Sequence, residues 1–133
     1  MKEQLDKNSE VKKWIDKAEH DLIAAKHMVK IAELTDIVCF HSQQCTEKYL
    51  KALLLFYNID FPKTHDLRIL HQLAQKYCSL KIKLSEIISL NRYTIEGRYP
   101  GDWEPISCKE ANDSIAIASL VRDKITFILH KGE

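Results

Sequence analysis

Little in this 133-residue chain breaks a helix. It has only three Gly and three Pro, too few to punctuate the many short strands of an all-β fold. It has no excess of charge either. Twenty Lys and Arg against 19 Asp and Glu leave a formal net charge of +1, which does not support a broad basic coat for nucleic acid and leaves only local patches to consider. No apolar run approaches the roughly 20 residues that cross a bilayer. The charged start, MKEQLDKNSEVKKW, holds no apolar stretch of a secretory signal. Cys39, Cys45, Cys78 and Cys108 form no CxxC pair and no Cys/His zinc spacing. They read as reduced thiols of a cytoplasmic protein, with no disulfide and no metal. No phosphate loop, dinucleotide fingerprint, HExxH or GxSxG is found, and no cofactor is expected.

What remains is helical. Hydrophobic residues make up 45% and charged residues 29%, the profile of one globular domain over residues 1–133. Trp14, Ala18, Leu22, Ala25 and Val29 recur at three- and four-residue steps and predict a helix from about Glu10 to Ala32, with Asp16, Lys17, Asp21 and Lys30 facing elsewhere. Thr35 or Asp36 is placed to cap a second helix that ends near Tyr57. Pro62 breaks the pattern, and Thr64 or Asp66 can cap a third helix from Leu67 to Cys78. A fourth is expected from Leu84 to Thr94. A loop, Glu96 to Pro105, then leads to a capping box, Ser107 with Glu110, and to a last helix carrying Ala111, Ile115, Ala118, Val121, Ile125 and Leu129. Five helices with short links predict an all-α fold, an antiparallel bundle.

The second helix poses the functional question. At about 100° per residue, His41, Gln44, Lys48 and Lys51 fall within roughly 40° of Ile37, and Glu47 lies at the edge of this stripe. Val38, Cys39, Cys45, Tyr49, Leu50, Leu53, Leu54 and Phe56 fill most of the remaining wheel. The stripe is either the solvent face of a central helix, with Glu47 and Lys51 as a surface pair, or the wall of a cleft or dimer interface. His65, in KTHDL, is either a structural histidine or a proton carrier. RYTIEGRYPGDW brings Arg92, Tyr93, Arg98, Tyr99 and Trp103 close together in sequence, a composition suited to phosphate and base contacts or to a protein interface.

Four segments, WIDKAEHDLIAAKHM, CFHSQQCTEKYLKALL, FPKTHDL and GRYPGDWEP, occur in that order. Together they resemble the HEPN family of small helical prokaryotic proteins, over about residues 12 to 130. The resemblance implies a four-helix up-and-down core with an additional short helix, a homodimer, and frequent pairing with a minimal nucleotidyltransferase. Members are tied to nucleotide binding, and many are metal-independent RNases of toxin–antitoxin or defence systems. Those RNases share an Arg-x(4–6)-His motif, in which Arg stabilises phosphate charge and His moves protons. Here Arg68 is too close to His71, Arg122 is too far from His130, and no His follows Arg92 or Arg98 in range. The positions that carry over are Gln44, Glu47, Lys48, Lys51, His65, Asp66, Arg98, Tyr99 and Pro100.

The expected function is therefore a non-catalytic homodimeric partner of a nucleotidyltransferase, holding a nucleotide or RNA. The expected site is a cleft in which Lys48, Lys51, Arg92 and Arg98 attract phosphate and Tyr93, Tyr99 or Trp103 stacks on a base. His41, Gln44 and His65 would add hydrogen bonds, and Glu47 and Asp66 would orient the cations. The alternatives are an RNase using His65 with Arg98, and a purely structural adaptor in which Lys48 merely pairs with an acid.

Overall fold

The computed structural model describes residues 2–94 and 104–131, with side chains from residue 8 onward. Five helices account for most of them: α1 (Lys2–Met28), α2 (Thr35–Phe56), α3 (Leu67–Gln75), α4 (Leu84–Ile88) and α5 (Cys108–Lys131). Among the described residues there is no strand, and no helix is long and apolar enough to cross a membrane.

The centre is α2. Its Val38, Cys39, Cys45, Tyr49, Leu50, Leu53 and Leu54 are all fully buried, because α1, α3 and α5 each pack against it. Helix α1 runs antiparallel to α2: Asp21 meets His41, and Trp14 meets Lys51 further along. Helix α5 packs on another side, where the hydroxyls of Ser114 and Ser42 hydrogen-bond at 3.0 Å within the core. The apolar stripes expected from sequence are the buried ones. Ala18, Leu22 and Ala25 of α1, and Ala111, Ala118, Val121, Ile125 and Leu129 of α5, form the core with α2.

The helix ends depart from the sequence reading. Helix α1 stops at Met28 rather than Ala32, and a 3-10 turn, Ala32–Leu34, leads straight into α2. No Gly or Pro marks this reversal, so periodicity alone overran it. Leu34 occupies the N-cap of α2 without a side-chain cap, while Thr35 and Asp36 already lie inside the first turn. The 3-10 turn that precedes it is closed by a backbone bond from Leu34 N to Ile31 O. At the other end Asn58 adopts a left-handed φ of 59°. Its N–H bonds Leu55 O, and that of Ile59 bonds Leu54 O, the two bonds of a Schellman stop.

Asp66 caps α3 as expected, accepting the Arg68 N–H at 2.9 Å. That helix ends at Gln75 rather than Cys78, after which the chain turns through Lys81 at φ 55° and buries Leu80 and Ile82. The segment expected as a fourth helix to Thr94 is a single turn of α4 followed by a 3-10 turn, Asn91–Tyr93. A tertiary demand explains the break. The Asn91 side chain accepts from Leu67 N and donates to Asp66, both at 2.9 Å, tying this turn to the start of α3.

Candidate functional site

Two carboxylates organise the polar face of α2. Asp21 of α1 is nearly buried. Its Oδ1 lies 2.8 Å from His41 Nδ1, and its Oδ2 accepts from Lys48 Nζ at 2.6 Å. Glu47 of α2 is only 3% exposed. Its Oε1 lies 2.9 Å from His65 Nδ1 and accepts from Gln43 Nε2 at 3.2 Å, while its Oε2 accepts from Lys51 Nζ at 3.1 Å. A Lys–carboxylate–His group thus occurs twice along one helix face. Because a carboxylate oxygen only accepts, each histidine donates from Nδ1, which sets its tautomer and ring orientation. Gln43 and Gln44 extend the network. Gln43 Nε2 also donates to His65 O at 3.2 Å, and Gln44 Nε2 donates to Gln43 Oε1 at 2.7 Å.

Glu47 and Lys51 are not the surface pair that their i, i+4 spacing suggested. Lys51 is 7% exposed, its ammonium 5.5 Å from the Trp14 ring centroid. Helix α1 covers Lys51, and the chain returning after Pro62 brings His65 onto Glu47. Burial of this kind makes each partner indispensable to the other, since an ammonium stripped of its carboxylate would be desolvated without compensation. The outer members remain accessible: half of the His65 side chain is exposed, and those of His41 and Lys48 are partly so.

The other expected site residues are placed differently. Asp66 is adjacent to His65, but its carboxylate serves the α3 cap and Asn91. Arg92 belongs to a separate cluster at the start of α5, 3.3 Å from Glu110 and with its guanidinium 5.1 Å from the Tyr93 ring. Glu110 completes only half of the capping box. Its N–H bonds the Ser107 hydroxyl at 3.0 Å, while its Oε2 accepts from the Tyr93 hydroxyl at 2.6 Å. Arg98 and Tyr99, with Pro100, Trp103 and most of the Glu96–Pro105 loop, lie outside the described residues.

A third ionic cluster joins α1, α2 and α5. Glu19 Oε1 accepts from the hydroxyl of fully buried Tyr49 and from Arg122 Nε. Burial pushes the Glu19 carboxyl up, but the Tyr49 and Arg122 bonds outweigh it and hold the group below 4.5. Burial, with Glu19 beside it, pushes the Tyr49 phenol above its usual range. A cleft of about 500 Å³ opens beside this cluster, with Val11, Ile15 and Phe56 among its apolar lining and Arg122 and His130 among its polar lining. Among the described residues, no group of three or more His, Cys, Asp or Glu gathers as a metal site would, and all four thiols are free.

A comparison with protein families matches the HEPN domain over residues 11–128. The chain belongs to the HEPN family. A curated relative from Methanocaldococcus jannaschii, named "Putative toxin MJ1304", is 32% identical over 110 residues, covering 71% of this chain and 70% of that one. Among solved structures, ST0689, described as an archaeal HEPN homologue, is 26% identical with a TM-score of 0.67, covering 87% of this chain and 94% of that one. TT1696 from Thermus thermophilus shares the fold at 19% identity, with a TM-score of 0.62 and coverage of 91% and 97%.

Within this HEPN fold the structure brings together His41, Gln44, Glu47, Lys48, Lys51 and His65, and leaves Arg92 apart. Two members of the network escaped the sequence reading. Asp21 was assigned away from the core side of α1, although it lies seven residues after Trp14 and three after Ala18, on the flank of the apolar stripe. Gln43 is fully buried, yet nothing in its spacing separates it from a surface residue. The His65 carbonyl, Glu47 and Gln44 give it partners.

Proposed function

We propose that this HEPN protein is the binding half of a two-protein unit of the toxin–antitoxin kind. In this reading it is a homodimer that engages a nucleotidyltransferase partner and takes a phosphate-bearing ligand, a nucleotide or RNA, at the polar seam of α2, without cleaving it. One observation carries the reading: Asp21 and Glu47 each hold one lysine and one histidine in fixed positions. A layer of buried acceptors behind accessible donors is how a polar site is preorganised for a ligand. Lys48 and Gln44 supply directional donors, and His41 and His65, held at Nδ1 by the two carboxylates, present Nε2 outward, which donates to a phosphate oxygen only in the protonated imidazolium. Arg98 and Tyr99 would close the site from the loop. The absence of Arg-x(4–6)-His supports the non-catalytic half. Arg122, the arginine of the last helix, is engaged by Glu19 and Asp123. The curated relative's name, a toxin, supports the biological setting.

A second reading has its own observation. His65 Nδ1 sits on a buried carboxylate, the arrangement that readies an imidazole for proton transfer. It would make the protein a metal-independent RNase with His65 as the proton carrier. Both readings meet in one experiment. The purified protein is mixed with labelled nucleotides and structured RNA in chelator at increasing salt, and whatever co-purifies is identified by mass spectrometry. Retention that weakens with salt and with Lys48→Ala, without cleavage, is the expected result. Cleavage lost in His65→Ala would establish the enzyme instead. Neither binding nor cleavage would leave a structural adaptor.

A further inference from the structure

The chain's near-neutral charge conceals a local excess. Residues 63–83 hold five of its 20 basic residues and one of its 19 acids. Lys63, Arg68, Lys76, Lys81 and Lys83 are all exposed. Lys48, Lys51, Arg92, Lys109 and Arg122 are each held by an acid, whereas among the described residues none of these five has a carboxylate partner. The one acid of the segment, Asp66, serves the α3 cap and Asn91. The nearest acids along the chain are Asp60, before Pro62, and Glu86, which lines a groove between α4 and α5.

The cations border an apolar trough. A groove of about 500 Å³ runs between α3 and α4, with Ile69, Leu73 and Leu84 as its apolar lining and Gln72, Gln75 and Lys76 among its polar lining. Two bonds lay residues 80–83 back along α3: His71 Nε2 donates to Ile82 O at 3.2 Å, and the Gln75 side chain accepts from Leu80 N at 3.0 Å. In that stretch Leu80 and Ile82 are buried, and Lys81 and Lys83 alternate outward. On α3, Arg68, Gln72, Lys76 and Ile69 fall within about 100° of one another. Ile69 is 37% exposed, and Tyr77, just beyond the helix, is 63% exposed.

We propose that this α3–α4 face docks an acidic, amphipathic helix of a partner protein. Aliphatic side chains on one side of that helix enter the groove, and carboxylates flanking them meet Arg68, Lys76, Lys81 and Lys83. Charge and lining together select this occupant. Clustered cations with no acid to offset them repel one another and favour an anionic partner. The aliphatic floor then favours protein over nucleic acid. A base binds by stacking on an exposed ring, and the ring that lines this groove, His71, is buried. An amphipathic helix instead seats its i, i+4 and i+7 side chains in such a groove. The inference stands apart from the α2 seam: it depends neither on that seam's ligand nor on self-association.

Fluorescence anisotropy tests this with a labelled helical peptide carrying leucines at i, i+4 and i+7 between glutamates. Two further probes accompany it: a peptide of the same composition with its leucines dispersed around the helix, and a labelled oligouridylate of the same net charge. The ordered peptide should bind at low salt, and more weakly as salt rises. The dispersed peptide should bind about tenfold more weakly or worse. Ile69→Asp, and Lys76→Glu combined with Lys83→Glu, should each weaken the ordered peptide about tenfold or more. These side chains are exposed, and circular dichroism checks that each variant is folded. Nucleotide retention by the same variants should match the wild type, which keeps a failure here distinct from a failure at the α2 seam. Equal binding of the two peptides overturns the groove. Binding of the oligouridylate alone makes this a nucleic-acid surface and overturns the protein partner. An ordered peptide that does not bind, or that binds both variants like the wild type, overturns the proposal outright.

Discussion

The two flanks of α2 hold carboxylates of opposite temper. On one side Asp21 and Glu47 are buried and bound by lysine and histidine. On the other, Glu19 is a third exposed and bound by Tyr49 and Arg122. Tyrosine and arginine keep their protonation through the neutral range, and each pushes further from it here: burial and Glu19 raise the Tyr49 phenol, and the Glu19 bond raises Arg122. That cluster is a fixed clamp across α1, α2 and α5. The seam instead uses lysine and histidine, and histidine is the one residue type whose ordinary titration lies near neutrality. The contrast separates a cluster that holds helices together from one built behind accessible donors.

The largest expected effect breaks the seam. Glu47→Ala leaves Lys51 buried against Trp14 without a carboxylate, and should cost about 3–5 kcal/mol in urea unfolding. Replacing both Glu47 and Lys51 with Leu should recover most of that loss, because two desolvated charges disappear together. A loss below about 1 kcal/mol for Glu47→Ala would mean that Lys51 reaches water, and the contrast with Glu19 would fail.

The clamp should yield less. Tyr49→Phe keeps the buried ring and removes the hydroxyl that donates to Glu19, for a cost of about 1 kcal/mol by the same measurement. Its acid response should be smaller again but of definite sign. The folded Glu19 value lies below 4.5, so its contribution is complete above that value and is lost as pH falls through the lowered one. Wild-type stability should therefore drop more steeply than that of Glu19→Gln below about pH 4.5. Parallel profiles would show that the clamp does not depend on the charge of Glu19.

The smallest effect concerns Cys45, which sits between the two groups. Burial first, then Asp21 and Glu19, push its thiol up to about 12. Since burial leads, Glu19→Gln should change the rate of Cys45 alkylation by less than about threefold, while exposed Cys108 reacts first in both proteins. A larger change, read by mass spectrometry of labelled peptides, would give the carboxylate field the leading role.

Much of the framework was legible because it depends on period. The stripes of α1 and α5, the Asp66 cap and the Ser107 start all follow from spacing and local chemistry. So does the gathering of His41, Gln44, Lys48 and Lys51 on one face of α2. The missed helix ends share a cause: the turn after Met28 and the break before Asn91 carry no Gly or Pro, and Asn91 breaks the segment for the sake of Leu67 and Asp66, 24 and 25 residues away. The capping box was half right for the same reason, since Tyr93 and Arg92 reach the Glu110 carboxylate from outside α5.

By itself, then, the sequence determined the helices and which polar side chains share a face, because both are set within a few residues along the chain. Only the tertiary structure decided what those side chains do. Asp21 reaches His41 and Lys48 because α1 lies antiparallel to α2. Glu47 and Lys51 are buried because Trp14 and His65 close over them. Gln43, bonded within α2 to Glu47 and Gln44, gains its one partner from outside that helix when the His65 carbonyl arrives from 22 residues further on. Burial and charge pairing depend on what another segment brings, and a helical period carries no record of that.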